Sequence, residues 1–279
     1  MPEFSGYLKK MKTTLPDSSG LESVRYQLSV DDQLISLNEQ LGKVIRLSFT
    51  GSIHCIHCGR RSNKSFNQGY CYPCFASLAQ CDICIMSPER CHYDAGTCRE
   101  PDWGMDHCMV DHIVYLANSS GIKVGITRAT QLPTRWIDQG AIAALPVFRV
   151  KTRQQSGFVE DVLRKHISDR TNWRTMLKGS IPSIDLAGAR DSLYELCCQD
   201  LLQLENRFGL EALQRTESIE PLAIKYPVLE YPLKVVSHNV DKNPQIEGTL
   251  MGIKGQYLIL DNGVINVRKY TAYHVDISL

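Results

Sequence analysis

The chain has 279 residues, 43% of them hydrophobic, and a near balance of 31 Lys+Arg against 30 Asp+Glu. That length and apolar content suffice for two or three domains with real cores, and a net charge of +1 removes overall charge as an argument for or against nucleic acid. No run of 18 apolar residues occurs, which excludes a membrane-spanning helix. Residues 1–16 carry lysines but no apolar h-region, so no secretory signal is expected and a reducing, cytoplasmic setting is.

In chain order, the first expected strands lie between Ser23 and Gly51. Val24, Tyr26, Leu28 and Val30 alternate, and Val44–Phe49 follows a Gly42-Lys43 turn. Residues 53–110 are cysteine-rich and poor in aliphatic side chains. Residues 111–180 read as an α/β module: a strand at His112–Ala117, a turn at Asn118–Gly121, a strand at Ile122–Thr127, and a short helix opened by Pro133 and closed by Gly140. A strand at Leu145–Val150 and a helix at Gly157–Ile167 complete it, with Val159, Val162, Leu163, His166 and Ile167 on the apolar face of the helix. Ser180–Gly209 reads as mostly one amphipathic helix, on which Leu193, Leu196, Cys197, Leu201, Leu204 and Phe208 step by three and four. Cys197 and Cys198 are read there as small core residues. A Pro-punctuated linker, Glu220–Pro232, leads to a C-terminal β region in which Tyr257–Leu260 is a strand and Asp261-Asn262-Gly263 a hairpin turn.

Nine of the eleven cysteines fall between Cys55 and Cys108. Cys55-Ile-His-Cys58, twelve residues, and Cys71-Tyr-Pro-Cys74 have the ligand spacing of a structural zinc ribbon. A two-residue gap lets both thiolates of a turn face one ion, and four thiolates close the tetrahedron around zinc. His54 and His57 are then left outside the ligand set. Cys81-Asp-Ile-Cys84 is a further knuckle that requires two partners. Cys91, Cys98 and Cys108 compete for those places, with His92 and His107 behind them, and one thiol is left over. Two structural zinc ions are expected. The loop of the first site carries Arg60, Arg61 and Lys64 among Phe66, Tyr70 and Tyr72. Basic residues interleaved with aromatics suit phosphate contacts and base stacking, whereas a purely structural reading packs the same rings over the metal site.

The balanced total hides a basic middle. Between Ser120 and Lys178 there are 11 Lys+Arg against 4 Asp+Glu, a surplus of 7, so the remainder carries −6. Such a surplus is the footprint of a phosphate-binding surface or of a solvated, lysine-rich face.

The stretch Val114-Tyr115, a short hairpin, Lys123-Val-Gly125, Arg135 and a helical Glu160 resembles the GIY-YIG endonuclease superfamily, and within it the phage-type branch. The whole chain also resembles an uncharacterised bacterial family in which a cysteine cluster stands directly before such a module. The strings Ser65-Phe-Asn-Gln-Gly-Tyr-Cys71 and Lys123-Val-Gly-Ile-Thr127 carry that second likeness. The superfamily resemblance implies that Tyr115 assists the attacking water, that Lys123 stands in the place of a second tyrosine, that Arg135 binds phosphate, and that Glu160 holds one Mg²⁺. Ile113 replaces the superfamily's first glycine, and Asn172 is a loose match to its late asparagine.

These readings give an α+β protein: N-terminal strands (1–52), a zinc-ribbon-like module (53–110), a GIY-YIG-like α/β module (111–180), a helical connector (181–220) and a small C-terminal β unit (221–279). The N- and C-terminal strands are expected to pack together, because neither segment can bury itself alone. The expected function is that of a zinc-containing nucleic-acid-binding protein with Mg²⁺-dependent phosphodiester hydrolysis, with Arg60, Arg61, Lys64, Lys123, Arg128 and Arg135 on the nucleic acid. The alternative is a non-catalytic module that binds nucleic acid or protein and retains a degenerate active site.

Overall fold

The computed structural model describes residues 3–16, 22–216 and 219–279. Its strands are β1 (Phe4–Thr14), β2 (Arg25–Val30), β3 (Gln33–Ser36), β4 (Val44–Ile53), β5 (His112–Asn118), β6 (Ile122–Arg128), β7 (Ala143–Val150), β8 (Leu213–Arg215), β9 (Leu222–Ala223), β10 (Gln245–Lys254), β11 (Tyr257–Leu260), β12 (Gly263–Asn266) and β13 (Tyr273–Ser278). Its helices are α1 (Tyr72–Ser77), α2 (Pro101–His107), α3 (Thr134–Asp138), α4 (Arg153–Leu163), α5 (Trp173–Leu177), α6 (Leu186–Leu196) and α7 (Cys198–Phe208). The α+β class is confirmed, with helices beside two antiparallel sheets. No helix among the described residues is long and apolar enough to cross a membrane.

The terminal segments interleave in one eight-stranded sheet of order β12-β11-β10-β4-β13-β1-β2-β3. Strand β13 lies between β4 and β1, pairing Ile277 with Leu47 on one side and with Phe4 on the other. Strand β1 is absent from the sequence reading. Its lysines Lys9, Lys10 and Lys12 interrupt the alternation, and a bulge between Lys9 and Lys12 shifts its register against β2 so that Leu8 and Met11 both reach the core.

The second sheet runs β6-β5-β7-β8, with β9 also on β7. Its central strand β5 is buried along its whole length. The period-2 alternation of a strand explains how. Ile113, Tyr115 and Ala117 pack toward the core of the large sheet, whereas Val114 and Leu116 face the opposite way, into a core shared with α4, α6 and α7. The molecule is thus layered, with the large sheet, the small sheet and a helical cover in turn.

Three local expectations need correction. Helix α4 spans Arg153–Leu163 rather than Gly157–Ile167. Thr152 and Gln155 form a capping box that starts it four residues early: the Gln155 N–H donates to Thr152 Oγ1 at 3.2 Å and the Thr152 N–H to Gln155 Oε1 at 3.2 Å. His166 consequently lies beyond the helix and is exposed rather than in the core. The single helix expected over Ser180–Gly209 is two, divided at Cys197. That residue is buried, but Cys198 opens α7 on the solvent side.

Candidate functional site

The first cysteine site hangs from the end of β4. After Ile53 the chain turns back at once, with the Cys55 N–H donating to Arg60 O at 2.8 Å and the Gly59 N–H to Cys55 O at 2.9 Å. Gly59 takes a φ of 68°, the left-handed conformation that such a knuckle turn requires. A second turn between Phe66 and Tyr70 returns the chain, and the Ile56 N–H donates to Gly69 O at 2.9 Å, which brings the knuckles together. Gly69 is needed there, because a Cβ would lie 2.7 Å from the Ile56 side chain. Cys71 then precedes α1 and Cys74 sits inside it.

The four sulfurs of Cys55, Cys58, Cys71 and Cys74 all lie within 4.8 Å of one another, with Cys58 and Cys71 at 3.7 Å, an arrangement that could hold a metal ion. Burial works against the charged form of Cys55, but backbone N–H groups of Cys58, Cys71 and His57 outweigh it and hold the thiol down at about 6. Burial and the neighbouring thiols push Cys74 the other way. The aromatics of this module pack on one another: Phe66 stands 5.7 Å from Phe75 and 5.6 Å from Tyr72. Arg60, Arg61 and Lys64 are exposed on its outer side and do not line the cleft described next.

Between the two sheets and the cysteine module lies a cleft of about 940 Å³. Lys123 and Arg128 of β6, Arg135 of α3 and Glu160 of α4 all line it, so these four predicted residues are brought together. The structure adds Arg153 and Arg268, while Lys9 and Lys10 stand at the β1 side and Asn67, Gln68 and Tyr70 form the wall contributed by the cysteine module. Arg153 is seven residues before Glu160 and therefore shares its helix face, a signal available in the sequence once the capping box is recognised. Arg268 follows β12, over a hundred residues away, and no local pattern announces it. Asn172, the loose match, caps α5 by accepting from the Thr175 N–H at 3.2 Å.

Tyr115 is not a lining residue. It is fully buried behind the cleft, and its hydroxyl donates to Oε1 of Gln139, a lining residue, at 3.0 Å. Its cross-strand partner is Gly125. A Cβ on Gly125 would lie 2.7 Å from the Tyr115 hydroxyl oxygen, so glycine is what lets the ring lie across β6. Gly125→Ala should therefore displace the ring and destabilise the fold by about 1–3 kcal/mol in chemical denaturation, as overpacking does. An unchanged midpoint would show that the ring is free to move.

The electrostatics of the cleft follow from burial. Glu160 is pushed up to about 7 by burial first and then by Asp169, against the pull of Lys123, Arg153 and Arg164. Lys123 is pushed down to about 8 by burial and then by Arg135, while Glu160 and Asp169 oppose the shift. Burial raises the Tyr115 hydroxyl above its ordinary value, so that it remains a neutral donor at neutral pH. Arg153 donates to Ile85 O at 2.6 Å, but its Nε is buried with no partner. The cleft therefore combines a cationic floor and one raised carboxylate, a set suited to binding a phosphate and a hard cation together.

The remaining cysteines separate. Cys81 accepts from Asn67 Nδ2 at 3.4 Å, on the side of the first module. Cys84, Cys91, Cys98 and Cys108 instead line one small cavity of about 20 Å³, together with Asp82 and His92. A donor atom of Asp82, one of Cys84 and one of His92 lie within 4.8 Å of one another.

No match to the chain was found among curated proteins or among solved structures. Residues 42–275 match the family described as "Protein of unknown function (DUF2797)". That span covers the cysteine segment, all of the cleft lining except Lys9 and Lys10, and strands β4 to β12, and it is most of the chain, which therefore belongs to this family.

Proposed function

We propose that the cleft binds a nucleic-acid backbone and hydrolyses a phosphodiester in it with Mg²⁺, and that the Cys55–Cys58–Cys71–Cys74 site holds a structural zinc ion. The observation that carries the reading is the convergence of Lys123, Arg128, Arg135 and Arg153 on the same cleft as Glu160, whose pKa of about 7 suits a group that loses its proton to a bound cation. The resemblance of Tyr115, Lys123-Val-Gly125, Arg135 and Glu160 to the GIY-YIG superfamily points the same way.

Each residue has a distinct part. Arg135 and Arg153 neutralise phosphate oxygens. Glu160 supplies the oxygen ligand for Mg²⁺, which when bound would polarise the phosphate. Lys123, at about 8, is poised to exchange a proton near neutral pH. The Tyr115 hydroxyl orients Gln139 from behind. The wall from Asn67 to Tyr70 ties the zinc module to the substrate groove, so the metal there acts on shape rather than on chemistry.

The test is incubation of the metal-replete chain with mixed DNA and RNA strands, with and without Mg²⁺. Cleavage only with Mg²⁺ is expected. Binding should weaken as salt rises, with a log–log slope of roughly −3 to −5 if about five phosphates are neutralised, and Arg135→Ala should lower the affinity. One observation favours a second reading, a non-catalytic binding module: Tyr115 is sealed from the cleft. Salt-sensitive binding without Mg²⁺-dependent cleavage would select that module. Absence of binding at about 50 mM salt would remove both.

A further inference from the structure

We propose that Asp82, Cys84 and His92 hold a second metal ion, a borderline-soft divalent ion such as zinc, and that this ion ties together the two turns on which α4 is docked. The inference is independent of the nuclease reading and uses the zinc assignment of the first site only to count ions.

The chain folds locally to bring one oxygen, one sulfur and one nitrogen donor together. Asp82 is extended, and the Ile85 N–H donates back to its carbonyl at 3.0 Å, closing a tight turn that carries Cys84. A second tight turn, Pro88–Arg90, is capped by Cys91 and delivers His92. One donor atom from each of Asp82, Cys84 and His92 lies within 4.8 Å of the other two. The cysteine spacing points to a different set. Cys81 faces Asn67, and Cys91, Cys98 and Cys108 line the adjoining cavity without joining this cluster.

The hydrogen bonds around the three donors suit ligands better than a self-satisfied pair. Thr97 Oγ1 donates to His92 O at 3.3 Å and therefore accepts from His92 Nδ1, 2.8 Å away. That places the ring proton on Nδ1 and turns a bare Nε2 toward Asp82, whose Oδ2 stands 3.5 Å from it. A charge-assisted N–H···O bond would close to about 2.7–2.9 Å. Two ligands of one tetrahedral ion, each about 2.1 Å from it, stand roughly 3.4 Å apart. The observed gap fits the second arrangement. A bare imidazole nitrogen and a buried carboxylate that face each other repel unless a cation lies between them. Asp82 is aimed by Arg99, whose Nε stands 2.7 Å from Oδ2 and whose Nη1 donates to Leu78 O at 3.2 Å. Partners of this kind fix the orientation of metal-bound imidazole and carboxylate groups.

Zinc accepts such a mixed set, and three protein ligands leave one position open. The cavity beside the donors, about 20 Å³, exceeds the roughly 10–15 Å³ that one water requires and leaves no room for a substrate. The ion's consequence is therefore mechanical. Arg153 donates to Ile85 O, next to Cys84, at 2.6 Å, and Gln154 Nε2 donates to Cys91 O, next to His92, at 3.0 Å. Gly157, one turn on, packs so closely on Pro88 and Glu89 that a Cβ would lie 2.7 Å from the Glu89 nitrogen. The helix that carries Glu160 thus rests on backbone one residue away from two of the ligands.

The experiment is native mass spectrometry of the full chain loaded with zinc and freed of excess, followed by cobalt(II) substitution. Wild type should hold two ions, and His92→Gln, Cys84→Ser and Cys58→Ser one each. Thr97→Val should weaken binding of the second ion about 10–100-fold, as loss of an orienting partner does. Cobalt in Cys58→Ser should show about a quarter of the thiolate-to-metal charge-transfer intensity of cobalt in His92→Gln, because one sulfur stands where the first site has four. Equal intensity would make the cavity thiols the ligands and overturn the proposal. So would two ions in His92→Gln or Cys84→Ser, or an unchanged affinity in Thr97→Val. A single wild-type ion that disappears in Cys58→Ser would leave the first site standing and reduce Asp82 and His92 to an ion pair. A single wild-type ion that persists in Cys58→Ser and disappears in His92→Gln would support this site and remove the first.

Discussion

Cys58→Ser should cost the chain a zinc ion and unfold residues 53–80, while leaving the eight-stranded sheet in place. Little else holds that segment: its core is Cys55, Cys71, Cys74 and Leu78, with Tyr70 packed against them. Metal binding to such sites supplies on the order of 10 kcal/mol, far more than four small side chains can contribute by burial. Limited proteolysis checks it directly. New cuts between Cys55 and Cys74, together with a protected fragment containing β10 to β13, are expected, and chelation of wild type should reproduce the pattern. A variant as resistant as wild type would mean that backbone pairing alone holds the knuckles.

At pH 8, Glu160→Gln should unfold at a higher temperature than wild type and should no longer cleave. The sign follows from the proton balance. Glu160 titrates near 7 in the folded chain and near 4.5 when unfolded. Between those values the folded chain holds a proton that the unfolded chain has released, so stability falls as pH rises through that window and stays low above it. Glutamine keeps the size and removes the fall. The gain should be on the order of 2 kcal/mol at pH 8 and vanish near pH 4, and Mg²⁺ should raise the wild-type midpoint but not the variant's. An ordinary ion-paired carboxylate would behave in the opposite way, with the variant less stable than wild type at pH 8 and the difference shrinking toward pH 4. Thermal scans at the two pH values, with and without Mg²⁺, distinguish them.

Much of this is legible in the sequence. The hairpin of β5 and β6, strand β7 and the β11–β12 turn were readable because period-2 patterns end there at strong turn residues. The grouping of Lys123, Arg135 and Glu160 came from the superfamily resemblance and not from those patterns. Burial was not legible, and burial decides the chemistry: Tyr115 and Lys123 occur in the same motif, yet one is sealed behind the cleft and the other lines it. Spacing alone does not assign partners. Cys-x2-Cys is informative when a turn closes it, as at Cys55 and Cys58, but Cys81 and Cys84 have the same spacing across an extended Asp82 and face different neighbourhoods. The lysines of β1 concealed a strand because a bulge, invisible to a periodicity count, supplies the missing phase.

The place of β13 in the middle of the large sheet sets the order of events on the ribosome. Until Tyr273–Ser278 leave the exit tunnel, β4 and β1 have no common neighbour and the sheet exists only as two unjoined halves. Translation at about 5–20 residues per second puts roughly 10–40 s between the emergence of Cys74 and that of β13. The cysteine knuckles can therefore close first, on a strand that still has an open edge, and a nascent chain in which they fail to close would expose that edge and its thiols together for the whole interval.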